Sequence, residues 1–439
     1  MAYSVYGCRY RYRLQNGNSG LQNHSYYDRE KYQAKFELLW QKFQEMGLAN
    51  KDLLQLRNTD LFKFSPYKAL TDEQIEIVER IKTSLINGEH KTHIIHGEPG
   101  TGKSVLATYL AKYLQSYDST KNLKVALVIP QSGLRKSLKK VFSKVAGLSS
   151  NMVLGPNEII RKNFDLIIVD EAHRLNRRVN LSGYGPFDKA NKHYNLGNDG
   201  TQLDWILLSS ASQVHLYDEN QSVMPKDVRK EDFIKLRAMN YTLTSQLRVL
   251  AGNDYIEFMN NLLAVNVSSK PNFGDYDLRY FDNLQEMITE IKRKDSEHGL
   301  ARLVAGYAWP WKTKSPSTHY FDIELDGLKL KWNSTLTDWV NSKNAIDEVG
   351  CIHTVQGYDL NYVGVIIGPE VSYDPINKKM AVDKDKYMDF NGKRTLSSQE
   401  ELEMYIINIY KTLLTRGIKG TFIHAVDKHL EAYLKARLA

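Results

Sequence analysis

The stretch 93-HIIHGEPGTGKSV-105 decides how this chain is to be read. A short apolar strand, His93 to His96, is predicted to run into Gly97. The run Gly97-Glu98-Pro99-Gly100-Thr101-Gly102-Lys103-Ser104 follows, matching G-x-x-x-x-G-K-[ST] without a mismatch. Glycines let such a loop wrap closely, so that its backbone N–H groups surround phosphate oxygens. A helix is predicted from about Lys103 to Gln115, and its N-terminal partial positive charge points at the same anion. Lys103 is then the contact for the β- and γ-phosphates, and the Ser104 hydroxyl a ligand for Mg²⁺. A Gly-rich turn can match this pattern by chance. The strand before it and the helix after it favour a phosphate loop.

Working outward, the next signal is the apolar strand Leu166–Val169, which ends in Asp170-Glu171-Ala172-His173. Two carboxylates at a strand end beside a phosphate loop suit metal-assisted phosphoryl chemistry: Asp170 to hold Mg²⁺, Glu171 to orient and deprotonate the attacking water. A third strand, Gln213–Tyr217, ends in Asp218-Glu-Asn-Gln221. Gln221 is either a γ-phosphate contact or an ordinary polar turn residue. Upstream, Leu70-Thr71-Asp72-Glu73-Gln74 opens a helix with a capping-box pattern. Gln74 thus has a structural explanation, and its amide also suits the edge of a purine. Between the loop and the acids, the strand Val125–Ile129 leads through Pro130-Gln131-Ser132-Gly133 into a basic helix with Arg135, Lys136, Lys139, Lys140 and Lys144. This helix reads either as a solvated face or as a contact for backbone phosphates.

The bulk numbers set limits. A length of 439 residues suggests two or three domains, and 42% hydrophobic residues suffice for substantial cores. The net charge of +8 comes from 59 basic against 51 acidic residues, a mild bias toward a polyanionic partner. Two cysteines, Cys8 and Cys351, make neither a disulfide framework nor a C-x-x-C metal spacing, so a cytoplasmic location is expected. No apolar run approaches the length of a membrane span, and the first residues lack a signal core.

Short strands alternating with helices up to about residue 250 predict a parallel sheet covered on both faces. The second part repeats the style, with strands at Leu303–Gly306, Val363–Ile367 and Thr421–Ala425 and helices at Leu402–Thr415 and Asp427–Arg437. The expected division is 1–65, 66–285 and 286–439. The first segment is an extension with a basic, aromatic start (Arg9, Tyr10, Arg11, Tyr12, Arg13). Its helix from about Tyr27 to Met46 is expected to pack on the next domain. Residues 174–202 read as a long loop, and Asp322, Glu324 and Asp326 as an exposed strand or turn. Trp309 and Trp311, flanked by Lys312 and Lys314, are either core or a platform that stacks bases.

Taken together, LTDEQ at 70–74, GEPGTGKS at 97–104, VIPQ at 128–131, IVDEAHR at 168–174, YDENQS at 217–222, LTSQLR at 243–248, AGYAWPW at 305–311, HTVQGYDLNYVGVIIG at 353–368 and LLTRGIKG at 413–420 resemble the superfamily 1 DNA and RNA helicases. The likeness is to the Schlafen-group helicase-like ATPases and related bacterial and phage proteins, over about residues 66–439. It implies an α/β fold of two RecA-like parallel-sheet domains with an N-terminal helical extension. It also implies ATP and Mg²⁺ as cofactors. By the resemblance, Gln74 binds adenine and Gly97 to Ser104 bind phosphates. Asp170 and Glu171 are metal holder and base, and Gln221 senses the γ-phosphate. Arg248 from the first half and Arg416 from the second approach that phosphate. Gln356 and Gly357 link nucleotide to nucleic acid, and Thr354 touches a backbone phosphate. Gln131, Arg135, Lys136, Trp309 and Trp311 complete the nucleic-acid candidates.

The expected activity is ATP hydrolysis driving a helicase or translocase on single-stranded DNA or RNA. An arginine supplied by a second domain makes hydrolysis depend on domain closure. The long insertions that bias duplex opening in large helicases are missing, so an ATP-gated switch or scaffold is the rival. A small-molecule kinase fits less well, because Glu171 and two arginines suit hydrolysis. The N-terminal extension is the expected surface for a protein partner.

Overall fold

The computed structural model describes residues 29–267, 269–314, 321–335, 338–394 and 398–438. The basic, aromatic start of the chain lies outside them. In the described residues the opening stretch forms β1 (Thr92–Gly97) and the helix Lys103–Gln115. With β2 (Val125–Val128), β3 (Val153–Leu154), β4 (Phe164–Val169), β5 (Ser210–Tyr217) and β6 (Ala238–Leu243) it makes a sheet ordered β3-β2-β4-β5-β1-β6. Every pair is parallel. The C-terminal ends therefore share one edge, and the loops after β1, β4 and β5 meet there. One strand, β5, separates the phosphate-loop strand from the strand that ends in the two acids.

These strands form because helices cover both faces, which calls for continuous apolar runs. On one side Ile77, Ile81, Leu106, Leu110 and Leu138 make a core with the strand residues Leu127 and Ile168. On the other, Phe187, Trp205 and Ile206 pack on Ala126, Val128 and Val169.

The second sheet contains β7 (Asp277–Tyr280), β8 (Ala301–Ala305), β9 (Ile323–Leu325), β10 (Leu328–Trp332), β11 (Glu348–Gly350) and β12 (Leu360–Ile367). A separate hairpin, β13 (Val371–Asp374) with β14 (Lys379–Val382), precedes the last strand, β15 (Gly417–Ala425). The order is β7-β15-β12-β8-β11-β10-β9, parallel except for the β9–β10 hairpin. The fold is thus α/β with two parallel sheets. Among the described residues no helix is long and apolar enough to cross a membrane.

Several expectations change. β7 stands at the edge of the second sheet, and the helix Gly252–Leu263 gives Tyr255, Met259 and Leu262 to the second core. Both therefore pack with the second sheet although they precede residue 286. The stretch 174–202 is not a bare loop: Gly185–His193 is a helix. Phe187 meets Trp205 at 4.5 Å between ring centres, and Trp205 Nε1 donates to Asn191 Oδ1 at 2.7 Å. Asn191 in turn donates to the carbonyls of Gly197 and Gly200. A few well-placed contacts order a sequence too polar to show helical periodicity. The helix Arg29–Glu45 leaves Phe36, Leu38 and Leu39 exposed, so it does not bury its stripe on the next domain. Trp40 instead packs edge-on to Phe43 and donates to the Lys51 carbonyl, where the chain turns back. Asp322 is buried rather than exposed. It accepts from the Thr313 backbone and hydroxyl and from the Trp332 N–H.

Candidate nucleotide site

The phosphate loop owes its shape to two residues in left-handed backbone, Gly100 (φ +92) and Gly102 (φ +82). A side chain at either strains the turn. The loop is braced from outside by the segment after β6. Gln246 Nε2 donates to the Pro99 carbonyl at 2.7 Å, and the Leu247 N–H to the Gly100 carbonyl at 2.8 Å. Within the loop, Thr101 Oγ1 donates to the Glu98 carbonyl at 3.0 Å. Burial raises the Glu98 carboxyl, and Asp218 adds to this.

Gln74 completes the predicted capping box, accepting from the Thr71 N–H at 3.1 Å. Its Nε2 also donates to the Thr101 carbonyl at 3.0 Å, so the residue ties the helix start to the loop. Both ends of its amide have partners within the protein.

Lys103 is buried beneath the loop. Its Nζ donates to the carbonyls of Gly97 and Glu98 and lies 3.4 Å from Asp218 Oδ2. Asp170, at the end of β4, is 1% exposed. Its Oδ1 accepts the Glu171 N–H, and its Oδ2 is buried without a hydrogen-bond partner. Burial pushes this carboxyl above the ordinary range and the Glu171 charge adds to it, while Ser104 and Lys103 pull it back. Glu171 turns the chain with φ +54, a position few non-glycine residues take. Burial pushes its carboxyl up too, but His173, Lys103 and Arg416 outweigh that and hold it below the ordinary range. His173 Nε2 lies 2.8 Å from Glu171 Oε2.

The second lobe closes this edge. Arg416, just beyond the helix Gln399–Leu414, is 1% exposed and donates from Nη2 to Gln221 Oε1 at 2.9 Å. Burial and the nearby Arg248 lower its pKa to about 10, while Glu171, Asp359 and Asp218 oppose that. Gln221 donates to Asp218 Oδ2 at 2.7 Å, and its carbonyl accepts from Gln356 Nε2 at 3.3 Å. Arg248 pairs with Asp359 across the seam, Nε to Oδ1 at 2.5 Å. Gly357 (φ +86) lets the lobes approach, since a Cβ there would lie 3.1 Å from Gln131 Oε1 and 3.2 Å from Leu134.

A buried Asp170 oxygen without a partner, the Ser104 hydroxyl beside it and a glycine-built loop above a buried lysine form a donor set that fits a triphosphate with Mg²⁺. Ser104 and Asp170 would hold such an ion. The charges of Lys103 and Arg416 act on Glu171, while Arg248 is held by Asp359.

The nucleic-acid candidates do not converge in the same way. Gln131 lies at the seam, with Nε2 3.4 Å from Gln356 Oε1. Arg135 donates to the Ile129 carbonyl at 2.8 Å and pairs with Glu158 at 3.7 Å, leaving Lys136 as the exposed member. Thr354 is buried and its hydroxyl bonds Cys351, capping its own short helix. Trp309 and Trp311 are partly buried and pack against the core that contains Trp332, with Trp309 and Trp332 centres 6.4 Å apart. Asp218, His173, Gln246 and Asp359 also line the site, and no local pattern marks them. All lie inside the stretches quoted for the resemblance, but only long-range pairing singles them out.

A family model described as "Schlafen group 3, DNA/RNA helicase domain" matches residues 90–427. The uncharacterized protein YPL245W of Saccharomyces cerevisiae is 28% identical over 383 residues, covering 78% of this chain and 83% of that protein. Among solved structures, the Pif1 helicase of Candida albicans is 16% identical with a TM-score of 0.26. That match covers 52% of this chain and 55% of that one, so this chain spans about half of its length. The Bacteroides Pif1 helicase in complex with ADP-AlF3 and ssDNA is 14% identical with a TM-score of 0.31, covering 81% of this chain and 92% of that one.

Proposed function

The chain belongs to the Schlafen group 3 DNA/RNA helicase domain family, a group of helicase-like P-loop ATPases, and from that premise we propose an ATP- and Mg²⁺-dependent motor stimulated by single-stranded nucleic acid. The two RecA-like lobes divide near residue 250, after the β6 segment that braces the phosphate loop. The observation that supports this reading best is the junction of Arg416 with Gln221, where a second-lobe arginine meets the end of a first-lobe strand. Phosphoryl transfer needs charge neutralisation and positioning more than covalent chemistry. Lys103 leaves its loop carbonyls for the β- and γ-phosphates. Ser104 and Asp170 would hold Mg²⁺, which would supply charge neutralisation at the phosphates. Glu171, kept ionised by its cationic neighbours, takes the proton of the attacking water. Arg416 and Arg248 stabilise the charge that develops on the transferred group, and Gln221 reports its presence to Arg416 and, through Gln356, to the rest of the second lobe. Loss of the γ-phosphate then loosens the seam, and the lobes part.

Steady-state ATP turnover, measured with and without single-stranded DNA or RNA at low salt, tests this. Low salt matters because phosphate contacts weaken steeply as it rises. Wild type is expected to turn over ATP and to be stimulated at least about tenfold. Lys103→Ala abolishes turnover, and Glu171→Gln keeps nucleotide binding but stalls hydrolysis. Turnover unaffected by any strand favours the second reading, an ATP-gated switch. The internal partners of Arg135, Thr354 and the two tryptophans speak for that alternative.

A further inference from the structure

Residues 52–68 cross the seam between the lobes. They carry two short helices, Leu53–Arg57 and Asp60–Lys63, capped by the Asp52 and Thr59 side chains. Phe64 anchors the segment in the first core, and the second of these helices packs on the helix Ser132–Phe142. From that anchor it reaches the second lobe at two points. Asn58 Nδ2 donates to the His298 carbonyl at 2.9 Å, and Asn361 Nδ2 donates to Asn58 Oδ1 at 2.9 Å. Lys63 Nζ donates to the Asp359 carbonyl at 2.6 Å.

Asp359 is the residue that pairs with Arg248. Its carboxyl is pushed up by burial but held below the ordinary range by Arg248, Lys63, Arg416 and Lys68 together. One carboxylate thus sits among both arginines of the candidate site and two lysines of the N-terminal segment. Burial pulls the Lys63 ammonium down to about 8 against the pull of Asp359.

We propose that the segment 52–68 is a strap across the nucleotide seam, in which Lys63 and Asn58 are positioning residues that hold Asp359 and through it Arg248. The strap adds a contact between lobes that neither sheet supplies and sets how often the site is assembled. Its effect on hydrolysis rests on the function proposed above. Its effect on lobe separation does not.

The test uses the full chain with Lys63→Met, Lys63→Arg and Asn58→Ala. Spin labels at Lys162→Cys and Lys329→Cys, in a Cys8→Ser background, report the distance between lobes, and ATP titrations report kcat and KM separately. Lys63→Met and Asn58→Ala are expected to lengthen and broaden the distance. They should also raise KM about tenfold, as when the competent fraction of molecules falls to a tenth. Lys63→Arg restores both. A distance distribution unchanged in both Lys63→Met and Asn58→Ala overturns the strap. Wild type without turnover overturns the motor reading instead, and the distances still decide the strap.

Discussion

Arg416 Nη2 and Gln221 Oε1 are 2.9 Å apart, joining a residue just beyond the helix Gln399–Leu414 of the second lobe to the turn after β5 in the first. Gln221 is itself fixed by Asp218 and Gln356, so arginine and glutamine act as one unit across the seam. Arg416→Ala should lower kcat by about 10³-fold or more with little change in nucleotide binding, as loss of a phosphate-facing arginine does. Gln221→Leu removes an acceptor but not the charge, and should cost about 10–10²-fold. The double variant should be no worse than Arg416→Ala alone. Phosphate-release kinetics decide this, and a loss below tenfold for Arg416→Ala gives its role to another group.

Gly100 allows no side chain. A Cβ there would fall 1.9 Å from Gln246 Oε1, which already accepts the Arg248 N–H, on a backbone at φ +92. Gly100→Ala should strain the turn by about 1–2 kcal/mol and weaken nucleotide binding at least about tenfold. Gly185→Ala, where no atom lies within 4 Å of the added carbon, is the control. Titration with a fluorescent nucleotide compares the two, and equal affinities would refute the account of the loop.

Glu370 makes stability depend on pH. It is buried and accepts the Tyr410 hydroxyl at 2.6 Å, and burial lifts its carboxyl to about 7, with the Tyr410 bond pulling the other way. A carboxyl raised in the folded state favours folding fully below its unfolded pKa and loses that contribution as pH rises through the folded one. Stability should therefore fall between about pH 5 and 8, by on the order of 3 kcal/mol from this group alone. Thermal melts across that range should show the slope, and Glu370→Gln should flatten it.

Trp309 separates core from stacking. Its ring packs with Trp332 against the core that also contains Leu284, Ile291 and Phe422. Trp309→Ala should destabilise the chain by about 2 kcal/mol, less than a fully buried tryptophan would cost. Affinity for single-stranded DNA should stay within about twofold, whereas loss of a base-stacking partner would cost about 1–3 kcal/mol of binding. Denaturant unfolding and a binding titration on the same variant distinguish the two.

Much of the first lobe was legible in local sequence. The loop at Gly97–Ser104, its strand and helix, and the acids at the end of β4 are signalled by residues close together in the chain. The capping box at Thr71 and Gln74 was likewise readable from a four-residue pattern. The helix Gly185–His193 was hidden because its order comes from Trp205 and Asn191 rather than from its own periodicity. Asp322 looked exposed because alternation along a strand does not reveal that Thr313 and the Trp332 backbone fold over it.

By itself the sequence determined the alternation of strands and helices and the identity of the phosphate loop, because backbone period and glycine freedom act within a few residues. Only the tertiary structure decided that Asp359 would bind Arg248, that Asn58 and Lys63 would bridge the lobes, and that Thr354 and Trp309 would turn inward. Asn58 and Asn361 stand 303 positions apart in the chain. A hydrogen bond between them depends on how two whole sheets come together, and no local pattern records that.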